Sequence, residues 1–241
     1  MVAARDAFAR HLELLYACRA CPNVAGLPVT GAVRETRVIL VGQAPGPHEA
    51  KHAKPFAYTA GKRMFAWFSE SLGLSEEEFR ERVHIAAVIR CFPGKDPKAG
   101  GDRVPDADEI ARCGEHLDRE IALLAPRLVI AVGTLAASVI LSRRTLSEAK
   151  GEDGEGPVSK LVPDPSLRFA APPLRQLRMT VGKLHRAERA GRKFDVVVLP
   201  HPSGRSTWLN KPENAKLLRT SLDLIRNHPA MITILRRTRR A

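Results

Sequence analysis

No stretch of this sequence approaches the ~20 consecutive apolar residues that a bilayer crossing requires. No signal peptide opens it either, so a soluble cytoplasmic protein is expected. Acid is in short supply: 26 Asp and Glu stand against 39 Lys and Arg, a net charge of +13. Such an imbalance points to a polyanionic partner such as DNA or RNA, whose condensed counterions the bases release; a solvated positive surface without a ligand is the plainer alternative. Cysteine is scarce as well, with four in 241 residues. What the chain does have is 44% hydrophobic content, enough for a real core in one large α/β domain or two small ones.

Residues 5–17 place Phe8, Leu12 and Leu15 on one helical face, and this helix delivers the chain to Cys18-Arg19-Ala20-Cys21. A redox-active pair should follow a strand and open a helix, whereas this pair follows a helix and enters the loop 22–31. The apolar run Val38-Ile39-Leu40-Val41 reads as a buried parallel strand. It runs into Gly42-Gln43-Ala44-Pro45-Gly46-Pro47-His48-Glu49, a loop that can continue neither strand nor helix. Ligands of α/β sheets bind at such strand ends. Residues 62–72 form a mostly core-facing helix carrying Met64, Phe65, Trp67, Phe68 and Leu72. Cys91 ends the strand 83–89, residues 92–105 form a Gly/Pro-rich loop, and Cys113 lies on a helix over 106–124. The strand 127–132 and the turn Gly133-Thr134 follow. A last apolar strand, 196–199, precedes His201-Pro202-Ser203-Gly204, and a final helix turns Leu217, Leu218, Leu222 and Ile225 inward.

Between residues 143 and 193 the composition changes to twelve Lys/Arg against six Asp/Glu. Residues 173–190 are expected to hold a basic helix through Arg175, Arg178, Lys183, Arg186 and Arg189, either a solvated charged helix or a nucleic-acid-contacting arm. The segment 227–241 is expected to be a basic C-terminal tail, frayed over Arg236-Arg237-Thr238-Arg239-Arg240.

The ordered set Gly42-Gln43-Ala44-Pro45-Gly46, Lys54-Pro55-Phe56, Arg90-Cys91 and His201-Pro202-Ser203, with the four cysteines, resembles the uracil-DNA glycosylase superfamily, above all its iron–sulfur branch (families four and five). The resemblance covers about residues 15–142 and 194–226. It implies a single three-layer α/β/α domain over 1–226 with a central, mainly parallel four-stranded sheet and an insertion at 143–193. It implies a monomeric DNA repair enzyme, nucleoid-associated through DNA, that hydrolyses the N-glycosidic bond of uracil or other deaminated bases in single- or double-stranded DNA and leaves an abasic site. Cys18, Cys21, Cys91 and Cys113 follow the family's cluster-binding order. Four thiolates suit a [4Fe–4S] cluster or a zinc ion, with free thiols as the third case.

By the same resemblance, Phe56 stacks on a flipped base, Gly42, Ala44 and Ala87 line the base site, and His201 donates to the departing base anion. Ser203 and Gly204 grip flanking phosphates, while Arg205 or Trp208 fills the gap the flipped base leaves. Two departures stand out. Gln43 and Ala44 occupy places where related families carry a carboxylate, which leaves Glu49 as the nearest surviving acid. Ala87 replaces a base-reading Asn, as in family five, but the carboxylate which that family carries after its Pro-Phe is missing from positions 57–61. An active glycosylase, a module that binds uracil- or abasic-site DNA without efficient turnover, and an unrelated nucleotide-binding α/β protein are the competing accounts.

Overall fold

A computed structural model of the chain describes residues 2–33, 35–98, 100–142, 180–204 and 206–238. Among the described residues the sheet has five strands in the order β2-β1-β3-β5-β4: β1 (Val38–Gly42), β2 (His84–Ala87), β3 (Leu128–Val132), β4 (Leu184–Arg189) and β5 (Arg192–Leu199). The first four in spatial order run parallel, with Leu40 opposite Ile85 and Ile130, and Ile130 opposite Val197. β1, β2 and β3 are buried at every position, which is why they read as unbroken apolar runs.

Alternate residues of each strand feed two separate cores. Ile39, Val41, Val129, Ala131, Val196 and Val198 meet α1 (Val2–Ala17), α5 (Ala107–Leu124) and α6 (Thr134–Leu141). Val38, Leu40, Leu128, Ile130, Val197 and Leu199 meet the opposite layer: α3 (Thr59–Leu72), α4 (Glu76–Arg82) and two C-terminal helices, α7 (Pro212–Asn227) and α8 (Pro229–Thr238). The short α2 (Pro47–His52) sits in the first motif. The result is the three-layer α/β/α architecture.

Three expectations need correction. The sheet has five strands rather than four, because 184–189 pairs antiparallel with β5 instead of forming the later part of a basic helix; residues 173–179 of that helix, and the whole of 143–179, lie outside the described residues. The hairpin turns at Ala190 and Gly191, both with positive φ (50° and 67°), the backbone that a tight two-residue turn demands. Arg189, counted toward a charged surface, is 5% exposed and ties the hairpin to the helical layer through Asp118 of α5 and the Val139 carbonyl of α6. Finally, 229–238 is a helix rather than part of a basic tail, because Ala230, Met231 and Ile234 share one buried face.

Helix ends follow local chemistry. Asp106 Oδ1 accepts the Glu109 N–H at 2.8 Å and Glu109 Oε2 accepts the Asp106 N–H at 2.9 Å, a reciprocal cap that starts α5. Ser75 and Glu78 start α4 in the same way.

Inside the α1/α5 layer lies a buried polar network. The Glu120 carboxylate of α5 accepts from the Arg90 guanidinium at 2.5 Å, and the ring nitrogens of His84 (β2) and His11 (α1) approach it at 3.3 and 3.6 Å. Burial works to raise the Glu120 pKa, but Arg90, His84 and His11 together outweigh it and hold the carboxyl well below the usual range. A depressed carboxylate contributes stability that is fully present above about pH 5 and is lost as pH falls through its folded value. Breaking such a pair leaves a buried charge without its partner, at a cost of about 3–5 kcal/mol. Arg90→Met is therefore expected to lower unfolding free energy by about that much in urea titrations at pH 7. In Glu120→Gln the acid-side loss of stability below about pH 5 should shrink; an unchanged acid limb would show that other carboxylates control it.

Candidate functional site

The first motif loop, the Pro55-Phe56 turn and the loop after β5 converge on a cavity of about 200 Å³ at the carboxyl end of the parallel strands. Gly42, Ala44, Glu49, Phe56, Ala86, Ala87, His201 and Ser203 line it. Of the expected base-site and catalytic residues, Gln43 alone does not; its carbonyl accepts the Ile89 N–H at 3.2 Å, so it links β1 to the chain after β2.

Phe56 is held in an unusual backbone. Its φ is +53°, a left-handed conformation that costs an aromatic residue free energy and persists only where the surroundings fix it. Arg80 supplies the fixing, donating to the Pro55 carbonyl at 2.7 Å and to the Phe56 carbonyl at 3.0 Å. Its guanidinium also lies 4.5 Å over the Phe65 ring. Two glycines make room for the turn. A Cβ on Gly61 would fall 1.8 Å from the Phe56 carbonyl oxygen, and one on Gly42 would fall 2.8 Å from its ring. The tip of the phenyl ring, Cζ and Cε2, thus lies close against Gly42 at the end of β1, in the wall of the cavity.

On the other side, His201 Nδ1 accepts the Ser203 N–H at 3.2 Å. That bond assigns the ring proton to Nε2, so the imidazole is a neutral donor. Burial lowers the His201 pKa and the charge of Asp102 opposes it. Glu49 is buried, and its Oε2 accepts the Gly46 N–H at 3.1 Å at the start of α2. Gly204 is exposed in the same loop as Ser203, and Arg205 lies outside the described residues. Trp208 is a correction. It was expected at the surface as a gap-filling ring, but it is 5% exposed and packed in the α1/α5 core, with its carbonyl accepting from Asn214 Nδ2 at 2.7 Å.

Asp102 also lines the cavity, and nothing in the sequence pattern singled it out. It lies in the 92–105 loop and reaches the site because that loop folds back on itself, with Lys95 and Asp102 bridged, the Asp96 carbonyl accepting the Gly100 N–H at 3.0 Å, and Arg103 clamped to Glu109 at 2.7 Å. The Gly100-Gly101 pair just ahead of it was the available signal for a reversal.

The four cysteines line a second cavity of about 350 Å³ at the end of α1. Backbone bonds bring them together: the Ala25 N–H donates to the Phe92 carbonyl and the Val29 N–H to the Arg90 carbonyl, both at 2.8 Å, folding the Cys18–Cys21 loop against Cys91. Cys113 comes from α5, its sulfur accepting the Arg90 N–H at 3.2 Å. Among the described residues no three His, Cys, Asp or Glu groups close on a point as a single metal ion requires. Burial, reinforced by the neighbouring thiols, pushes Cys91 up to about 11, and burial pushes Cys113 up to about 12. Arg19, Arg90 and Arg112 line the same cavity. Four thiols that line one cavity, beside three guanidiniums that would offset negative charge, are a donor set whose chemistry suits a thiolate-bound metal group.

The chain is 30% identical over 142 residues to the Type-4 uracil-DNA glycosylase of Sulfurisphaera tokodaii, covering 57% of this chain and 60% of that protein. It is 31% identical over 141 residues to the Type-4 enzyme of Thermotoga maritima, covering 57% of this chain and 68% of that one. The Type-5 uracil-DNA glycosylase of Pyrobaculum aerophilum is 27% identical over 129 residues, 49% of this chain and 54% of the relative. The matched stretches therefore span roughly half to two thirds of these relatives. The family profile reaches further along this chain, matching residues 28–224 and so taking in both motif loops and the sheet between them. With that match, the chain belongs to the uracil DNA glycosylase superfamily.

Proposed function

We propose that this protein is a DNA glycosylase that removes uracil or a related deaminated base from DNA and leaves an abasic site. The observation that carries this reading is the convergence of the Phe56 ring and the His201 donor on one cavity sized for a single nucleobase. A base taken out of the helical stack needs a π-face to lie on and donors for its oxygens. Cleavage places negative charge on the departing base, and a neutral N–H held by the Ser203 bond meets that charge without first giving up a proton of its own. The small Ala87 at the rim leaves the base edge free of a reading amide, which favours tolerance among bases. Ser203, in the cavity wall, and the exposed Gly204 beside it would meet a backbone phosphate.

Cys18, Cys21, Cys91 and Cys113 would hold a [4Fe–4S] cluster, whose contribution when bound is a covalent tie between the N-terminal loop, the chain after β2 and α5. Protein purified without oxygen should be brown, with a band at about 400 nm, and Cys113→Ser should lose both colour and iron. Colourless protein with stoichiometric zinc would assign the site to zinc instead.

DNA as partner is supported by the net charge of +13. Affinity for undamaged duplex should fall at least about 100-fold between 50 and 200 mM salt, read by fluorescence anisotropy; a flat response would direct the positive surface elsewhere. No helix among the described residues is long and apolar enough to cross a membrane. The catalytic test is His201→Ala, expected to slow single-turnover excision from a uracil oligonucleotide by about 100-fold or more while abasic-site binding stays near wild type. A wild-type protein that binds such DNA but excises nothing would replace the glycosylase with a binding module.

A further inference from the structure

The carboxylates that related families carry in the first motif are absent here, and Glu49, the acid closest in sequence, is occupied. Its Oε2 takes the Gly46 N–H and its side chain is buried at the start of α2. Asp102 also has one oxygen engaged, but it is the more exposed of the two acids. It reaches the same cavity from the 92–105 loop, and its side chain is 46% exposed, so water has access to it. Its Oδ1 accepts from Lys95 Nζ at 2.7 Å, which fixes the group while leaving Oδ2 unassigned among the described hydrogen bonds. Oδ2 lies 3.5 Å and Glu49 Oε2 2.8 Å from where a Cβ on Gly46 would stand, so both carboxylates come up to the first motif loop at Gly46. The loop that presents it is not slack: the Arg103 N–H donates to the Gly94 carbonyl at 2.9 Å, and the Arg103 side chain grips Pro93 and Glu109. Asp102 therefore has what an acid–base group needs: a held carboxylate, solvent access and a place in the wall shared with the leaving-group donor His201.

Resting on the glycosylase reading above, we propose that Asp102 is the group that activates or orients the attacking water, replacing the motif carboxylate that Gln43 and Ala44 have lost. The water oxygen bonds to the sugar C1′ while one water proton passes to Asp102. The C1′–N bond breaks, and its electron pair leaves with the base as an anion held by the His201 N–H. Return of the proton from Asp102 through solvent neutralises the base and resets the carboxylate. Moving the carboxylate from the strand-end loop to the 92–105 loop keeps it at the cavity while freeing the first motif to close tightly over α2.

Asp102→Asn, Glu49→Gln and Lys95→Ala separate this role from its alternatives. Single-turnover excision from a uracil oligonucleotide should fall about 100-fold or more in Asp102→Asn, with the abasic-oligonucleotide Kd within about threefold of wild type. Glu49→Gln should lose less than about tenfold, since the amide keeps one acceptor for the Gly46 N–H. Lys95→Ala loses the bond that fixes Oδ1 but leaves the carboxylate in place, and should lose less than about tenfold. Asp102→Asn excising at the wild-type rate would overturn the assignment; so would Lys95→Ala matching its loss, which would make Asp102 a loop anchor. A Glu49→Gln loss equal to or larger than that of Asp102→Asn would move the base to Glu49. If wild-type protein excises nothing, the glycosylase reading fails and takes Asp102 with it, an outcome distinct from a failure of Asp102 alone.

Discussion

One carboxylate, Glu120, holds the ends of four segments in register. Through Arg90 it fixes the chain leaving β2, through His84 the strand itself, through His11 the first helix, and it projects from α5. The pair is fully buried, so its members were taken out of water at a cost that the mutual attraction only partly offsets. What the arrangement secures is position. With its guanidinium pinned, Arg90 presents its carbonyl to Val29 and its N–H to the Cys113 sulfur, and both cysteine-bearing segments assemble on it. The same strand exit carries Ala87 into the cavity lined by Phe56 and His201. The cysteine cavity and the candidate site thus share one strand end.

The candidate active site shows a second economy. Phe56 is useful only with its ring pressed on the end of β1, and that placement requires a left-handed backbone, Arg80 at two carbonyls and glycine at both 42 and 61. His201 is prepared by a single backbone bond, from the Ser203 N–H. Each group is positioned through main-chain atoms, Phe56 by its carbonyl and His201 by the Ser203 N–H.

Much of this was legible in the sequence, for identifiable reasons. The runs at 38–41 and 196–199 could be read as strands because both faces are buried, and the strand-end loops followed from glycine and proline spacing. The Cys18–Cys21 pair could be placed after a helix because Phe8, Leu12 and Leu15 keep helical spacing. What escaped was decided by distant partners. Arg186 and Arg189 fall at spacings a helix would use, yet the edge of β5 recruits them into a strand. Met231 and Ile234 were masked by the basic residues that follow them, and Trp208 by its neighbourhood to a functional loop. Asp102 could not be read at all, because its importance comes from a loop reversal that delivers it to a wall built 50 residues earlier.

The hairpin formed by β4 has a consequence for how the chain can be shortened. Its partner β5 is an outer strand of the parallel set, with Val196, Val197, Val198 and Leu199 all buried. Stripped of β4, that strand would present a straight row of unpaired amides and carbonyls along an oily edge, the surface on which foreign chains stack. Any trimmed version of the protein meant for crystallisation or fusion should therefore retain 181–199 as a unit; the hairpin is what keeps the sheet from acting as a seed.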